Sequence, residues 1–179
     1  MRWIHLLLLL IPTLVQGCAW VPKAYVARED LSGGTPYELV EGSPMYELIP
    51  RGWITPVDHP RFASVHEAGG FMDDDEPVIV VDVGGDVRVY STWYLDAHEV
   101  VNDEVGGQPL AVTWCPLVQA GVVFDRRVGD GDGQRELTLQ ASGRLWRDAL
   151  VMWDDQTRSL WTQHDGRALV GRSAESRAQ

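Results

Sequence analysis

HEVVNDEVGGQPLAVTWC, residues His98 to Cys115, is the stretch whose reading decides the fold. Glu99–Asn102 reads as a short strand, Asp103–Gly107 as a turn with paired glycines, and Pro109–Trp114 as a second, apolar strand. Glycines between apolar runs favour positive φ and a tight reversal, so the stretch predicts a β-hairpin. The hairpin carries His98 and Cys115 to its open end and leaves Asn102 and Asp103 at its tip. Imidazole and thiol are the side chains best suited to nucleophile or soft-metal chemistry near neutral pH. His98 and Cys115 are therefore the first candidate pair, with Asn102 and Asp103 as candidate orienting groups.

Outward from the hairpin the chain keeps the same grammar. Pro77–Val83 is a continuous apolar strand, Gly84-Gly85 a turn, and Asp86–Ser91 an alternating strand that pairs back. Trp93–Ala97 reads as a short helical or irregular bend, and Ala63–Ala68 as one helical turn. Gly121–Phe124, Arg135–Gln140, Ala149–Trp153, Ser159–Trp161 and Ala168–Val170 read as further short strands, with Ser142-Gly143 as a turn. Gly129–Gly133 (GDGDG) is also a turn, because it lacks the later glutamate of a calcium loop. Asp73–Glu76 is a solvated acidic loop. The four prolines of Gly42–Pro60 exclude a long helix or a central strand and predict an extended arm. The expected fold is mainly β: a single domain of short antiparallel strands, a sandwich or partly closed barrel, with an extended Pro-rich N-terminal arm. That domain spans 43–171, and 172–179 is a polar, disordered tail.

The first 42 residues read differently. Arg2, the apolar run Leu6–Ile11 and its extension to Val15 make a core too short to cross a bilayer, which fits a signal peptide over 1–17. It ends in Gly17-Cys18, similar to the cleavage box of bacterial lipoprotein precursors, in which the cysteine is lipidated. The expectation is a lipid anchor at Cys18, a tether over 18–42 and a periplasm-facing place in the cell envelope, at the outer rather than the inner membrane because Ala19 follows. Lipid on Cys18 would leave Cys115 without an intramolecular partner, since the chain has 2 cysteines. A net charge of −11 argues against nucleic-acid phosphate as a partner. The 8 tryptophans suit a packed β core, with an aromatic binding patch from Trp53, Trp93, Trp146, Trp153 and Trp161 as the sharper alternative.

From Leu48 to Gly171 the motifs line up as a set: Ile49-Pro-Arg-Gly52, Asp58-His-Pro-Arg-Phe62, Asp74-Asp75-Glu76-Pro77, His98-Glu99-Val-Val-Asn102-Asp103, Gly106-Gly107, Cys115-Pro116-Leu117, Phe124-Asp125-Arg126, Ser142-Gly143 and Ser159-Leu160-Trp161. In this the chain resembles the bacterial family catalogued as domain of unknown function 3179. The resemblance implies a grouping and an architecture, and no activity. The family usually reads Cys-Pro-Leu-Cys-Gly, whereas Val118 stands here at the second thiol, so a dithiol couple or a two-thiolate site is not available within the chain.

Three readings of the hairpin pair follow. His98 and Cys115, with His164 as a third ligand, hold a soft metal ion such as copper. Or Cys115 is a nucleophile activated by His98 and oriented by Asn102 or Asp103. Or Cys115 is a small core residue, His98 makes a core hydrogen bond, and Asn102-Asp103 caps the turn. A binding or accessory role in the envelope is the expectation, with a Cys/His enzyme and a copper-handling protein as alternatives.

Overall fold

The computed structural model describes residues 4–7, 38–129 and 133–173. Cys18, most of the leader and tether, the centre of the GDGDG turn and the end of the polar tail lie outside the described residues. In chain order the strands are β1 (Ile4–Leu7), β2 (Glu38–Val40), β3 (Ser43–Glu47), β4 (Val57–Asp58), β5 (Phe62–Ser64), β6 (Val78–Val83), β7 (Asp86–Ser91), β8 (Val100–Val105), β9 (Gln108–Cys115), β10 (Ala120–Asp125), β11 (Arg127–Val128), β12 (Arg135–Glu136), β13 (Leu139–Trp146), β14 (Ala149–Asp154), β15 (Leu160–Thr162) and β16 (Ala168–Val170). Helix α1 (Val65–Ala68) follows β5, and α2 (Thr92–His98) follows β7. The fold is mainly β, as expected, and its sheets do not close into a barrel.

The hairpin β8–β9 is the centre of the molecule. It lies in a sheet of order β10-β9-β8-β4, and both faces of that sheet are buried. On one face Val100, Ala111, Cys115 and Phe124 pack against Leu139, Leu145, Met152 and Trp161 of the sheet β16-β15-β14-β13-β3-β2. On the other, Val101, Val105, Leu110 and Val112 pack against Val81, Tyr90 and Leu95 of β6, β7 and α2. Successive strand residues point to opposite faces, so Val100 and Val101 serve different cores. The result is three layers rather than the two of a simple sandwich.

β6 and β7 belong to a sheet of order β5-β1-β7-β6. Its β1 falls inside the stretch read as a leader. It runs parallel to β7 and antiparallel to β5. Glu38–Val40, from the end of the stretch read as a tether, pairs with β3 as an edge strand.

Three local expectations are corrected. The turn of the central hairpin is Gly106-Gly107 alone, because Asn102-Asp103-Glu104 continues the ladder opposite Ala111, Leu110 and Pro109. Asn102 and Asp103 therefore do not sit at the tip. Ser142-Gly143 is a bulge inside one strand, β13, and not a turn. A Cβ at Gly143 would stand 2.1 Å from the Ile49 carbonyl oxygen, so only glycine admits the neighbouring segment. The chain reverses instead at Arg147-Asp148, both at positive φ (49° and 62°). The proline-rich stretch is extended, but its first part, β3, is an internal strand. Pro44 is tolerated there because the β3–β13 ladder covers Met45–Glu47 only.

Candidate functional site

Helix α2 starts at an N-cap, Ser91, whose hydroxyl accepts from the Tyr94 N–H at 3.0 Å. It ends where Glu99 takes a left-handed conformation, φ 57°, and donates its N–H to the Leu95 carbonyl at 2.7 Å. The Glu99 carbonyl then accepts from Trp114 at 2.8 Å, which continues the β8–β9 register by one pair. One further step of that register would set His98 against Cys115. The helix prevents it. His98 Nδ1 is 2.8 Å from the Thr55 carbonyl oxygen, and its ring stacks on Tyr94 with centroids 4.5 Å apart. A carbonyl partner requires Nδ1 to carry the proton. His98 thus fastens the segment after β3 to α2, and no hydrogen bond joins it to Cys115 among the described residues.

Cys115 is 1% exposed and belongs to the larger core. Burial pushes its thiol above the ordinary range, and the nearby Glu99 carboxylate pushes the same way. The backbone N–H groups of Val118, Leu117 and Leu150 act in the opposite sense by bonding to the sulfur. The net direction is upward, opposite to that of an activated thiolate.

The residue that sequence reasoning missed is Glu99. It is half-buried, holds a positive φ, and has its carboxyl pushed up to about 7 by burial and then by the charge of Asp96. Strained backbone and a desolvated acid beside a thiol are two marks of a functional position. Its one sequence signal is its place between a helix end and an apolar strand, where an acid gains nothing from the helix dipole.

Asn102 and Asp103 are inside the fold, at 4% and 7% exposure. Asn102 donates to the Asp58 carboxylate and to the Leu139 carbonyl, both at 2.8 Å, and accepts from the Leu139 N–H at 3.1 Å. It thereby ties β8 to β4 and, across the layers, to β13. Asp103 accepts from the hydroxyl of Tyr90 at 2.7 Å, which ties β8 to β7. Burial and that bond drive the Tyr90 phenol far above its usual range. Arg126 is similar: 6% exposed, it donates to the carbonyls of Leu137 (2.6 Å) and Leu110 (3.2 Å) and pairs with Glu136 at 2.8 Å. Buried polar groups with all partners inside the chain are frame, not free chemistry.

His164 lies elsewhere. It lines a cleft of about 380 Å³ with Val118, Ala120, Val122, Arg147 and Gln163, and its Nε2 is 3.0 Å from the Arg147 carbonyl oxygen. Val118, at the position of the absent second thiol, forms one wall. Among the described residues no three His, Cys, Asp or Glu side chains converge as metal ligands. His59 and His66 are exposed. Of the five tryptophans considered for a binding patch, Trp146, Trp153 and Trp161 are buried, whereas Trp53 and Trp93 are 70% and 69% exposed.

Neither the curated proteins nor the solved structures give a match to this chain. The family described as Protein of unknown function (DUF3179) matches over residues 51–179, a span that holds the hairpin, the Asn102 and Arg126 ties and Cys115; the chain belongs to that family.

Proposed function

We propose that this protein is a lipid-anchored accessory protein of the cell envelope that acts by binding rather than by catalysis. One observation carries the reading of its action: Cys115, the strongest candidate nucleophile, is 1% exposed within the core and has its thiol pushed up by burial. The placement in the envelope rests on the leader ending in Gly17-Cys18. Among the described residues no helix is long and apolar enough to cross a membrane.

Two measurements test it. Cys115 should stay unreactive toward a thiol reagent at neutral pH until the protein is denatured, and His98→Ala should not change that. Replacing Cys18 with Ser should release the protein from the membrane fraction or leave the precursor uncut. Fast labelling of native Cys115 that His98→Ala slows would overturn the binding reading.

A second reading, a Cys-dependent enzyme, draws on Glu99. A carboxyl near neutrality beside a thiol can accept or return a proton. It predicts that Glu99→Gln alters Cys115 labelling in the native state; unchanged labelling removes it. The copper reading predicts a stoichiometric Cu(I) complex that Cys115→Ser and His98→Ala each abolish.

A further inference from the structure

Most arginines of this acidic chain are neutralised. Arg88, Arg126, Arg127, Arg144, Arg147 and Arg167 each pair with a carboxylate. Arg51, Arg158 and Arg172 are exposed, and none of the three has a carboxylate partner among the described residues. With a net charge of −11, acids to pair with them are not scarce.

The fold gathers these three at one end of the six-stranded sheet. Leu160 of β15 stands opposite Trp153 of β14 on one side and opposite Val170 of β16 on the other. Two residues beyond the Leu160–Val170 pair, the same register sets Arg158 opposite Arg172. Contacts on both sides of Arg172 hold that register: a Cβ at Gly171 would stand 2.7 Å from the Ser159 Cα, and the Ser173 N–H donates to the Ser159 hydroxyl at 3.0 Å. Like charges opposite each other across strands repel. Arg51 reaches the same region from the segment after β3, where its guanidinium lies 3.8 Å from the centroid of the Trp153 ring. Trp153 is 9% exposed, and its indole N–H is the one buried side-chain polar group without a hydrogen-bond partner among the described residues. An indole N–H lies in the ring plane, so its missing acceptor belongs at the edge of the ring that Arg51 covers. Arg51 is exposed, so its side chain can turn with whatever enters. The acids nearest in sequence are engaged elsewhere: Glu47 pairs with Arg144 at 3.0 Å, Asp154 accepts from the Trp161 indole at 2.8 Å, and Asp155 accepts from Gln140 at 2.8 Å.

We propose that Arg51, Arg158 and Arg172, together with the indole N–H of Trp153, bind a single phosphate group, carried by a phospholipid headgroup or by a free phosphate. This rests on the binding reading and names the chemistry of the ligand. Guanidinium forks take phosphate oxygens in pairs, and the indole donates to one more. The bound anion also removes the repulsion between Arg158 and Arg172. The acidity of the whole chain repels a polyanion, so a lone phosphate fits where nucleic acid does not.

The test uses the full-length protein in nonionic detergent, isotope-labelled at its tryptophan indoles, with Trp153→Phe to assign the Trp153 signal. Inorganic phosphate and detergent micelles doped with phosphatidic acid are titrated separately. The Trp153 indole N–H resonance should move downfield and saturate with at least one of them. Arg51→Gln, Arg158→Gln and Arg172→Gln should each weaken that binding by about tenfold. Arg61→Gln removes an equally exposed charge beside β5, in the opposite outer layer, and should leave it unchanged. Saturation by inorganic phosphate identifies a free phosphate as the source, and saturation by the doped micelles alone identifies a headgroup. No movement with either probe overturns the proposal. So does equal weakening by Arg61→Gln, which would show a general effect of charge. Failure at Trp153 with Cys115 still inert removes the phosphate site and leaves the binding reading standing. Reaction of native Cys115 removes the binding reading whatever Trp153 does.

Discussion

Glu99 is held where a carboxylate is costly. Its φ of 57° is a conformation that favours glycine or asparagine, and Asp96 adds a like charge. A glutamate that titrates near 4.5 when unfolded and at about 7 when folded binds its proton more tightly in the folded state. The sign follows from linkage: its contribution is fully present below 4.5, declines as pH rises, and is lost on passing about 7. Denaturant unfolding at a series of pH values should therefore show a component that falls across that window. Glu99→Gln should flatten that component and raise stability at pH 8. A variant as pH-dependent as the parent would place the titration elsewhere. At this scale the sequence was a partial guide. Burial of Cys115 is readable from the apolar run that ends on it. The direction of His98 is not, because it depends on a seven-residue helix and on Thr55, 43 positions away.

The central hairpin shows how two neighbouring glycines differ. Both have positive φ, 56° at Gly106 and 76° at Gly107. A Cβ at Gly107 meets nothing within 4 Å, whereas one at Gly106 would lie 2.5 Å from the Val83 carbonyl oxygen and 2.8 Å from a Val83 methyl. Gly107→Ala should then cost only the left-handed penalty, about 1 kcal/mol. Gly106→Ala adds a clash with a neighbouring turn and should cost about 2–4 kcal/mol. Equal losses in denaturant midpoint would mean that the two turns do not touch. The existence of the hairpin was legible in its glycines and apolar arms. Its length was not, because Asn102 and Asp103 are favoured turn residues. Here their side chains find Leu139, Asp58 and Tyr90, and those bonds let polar residues continue a buried strand. The same effect hid the Arg147-Asp148 reversal, where neither residue is glycine, and made the glycine of the β13 bulge read as a turn.

For the whole molecule, the consequence of three layers is shared stability. The β8–β9 hairpin supplies Val100 and Ala111 to one core and Val101 and Val112 to the other. Asn102 bonds toward the six-stranded sheet while Asp103 bonds toward β7. Neither outer layer can leave without exposing a face of the central sheet and orphaning buried polar groups. A two-layer expectation arises because alternating and continuous apolar patterns cannot be told apart in strands of six to eight residues interrupted by Asn and Asp. The layered arrangement predicts a single melting transition. Leu95→Ala removes a fully buried side chain from one core, and Met152→Ala removes one from the other. Each should cost about 2–5 kcal/mol. Both should lower the same transition, followed by the summed fluorescence of the 8 tryptophans and by far-UV circular dichroism. Coincident curves in both variants are expected from a shared central sheet. If Leu95→Ala splits the curve into two transitions while Met152→Ala lowers only the second, the layers are separate cooperative units and the hairpin does not couple them.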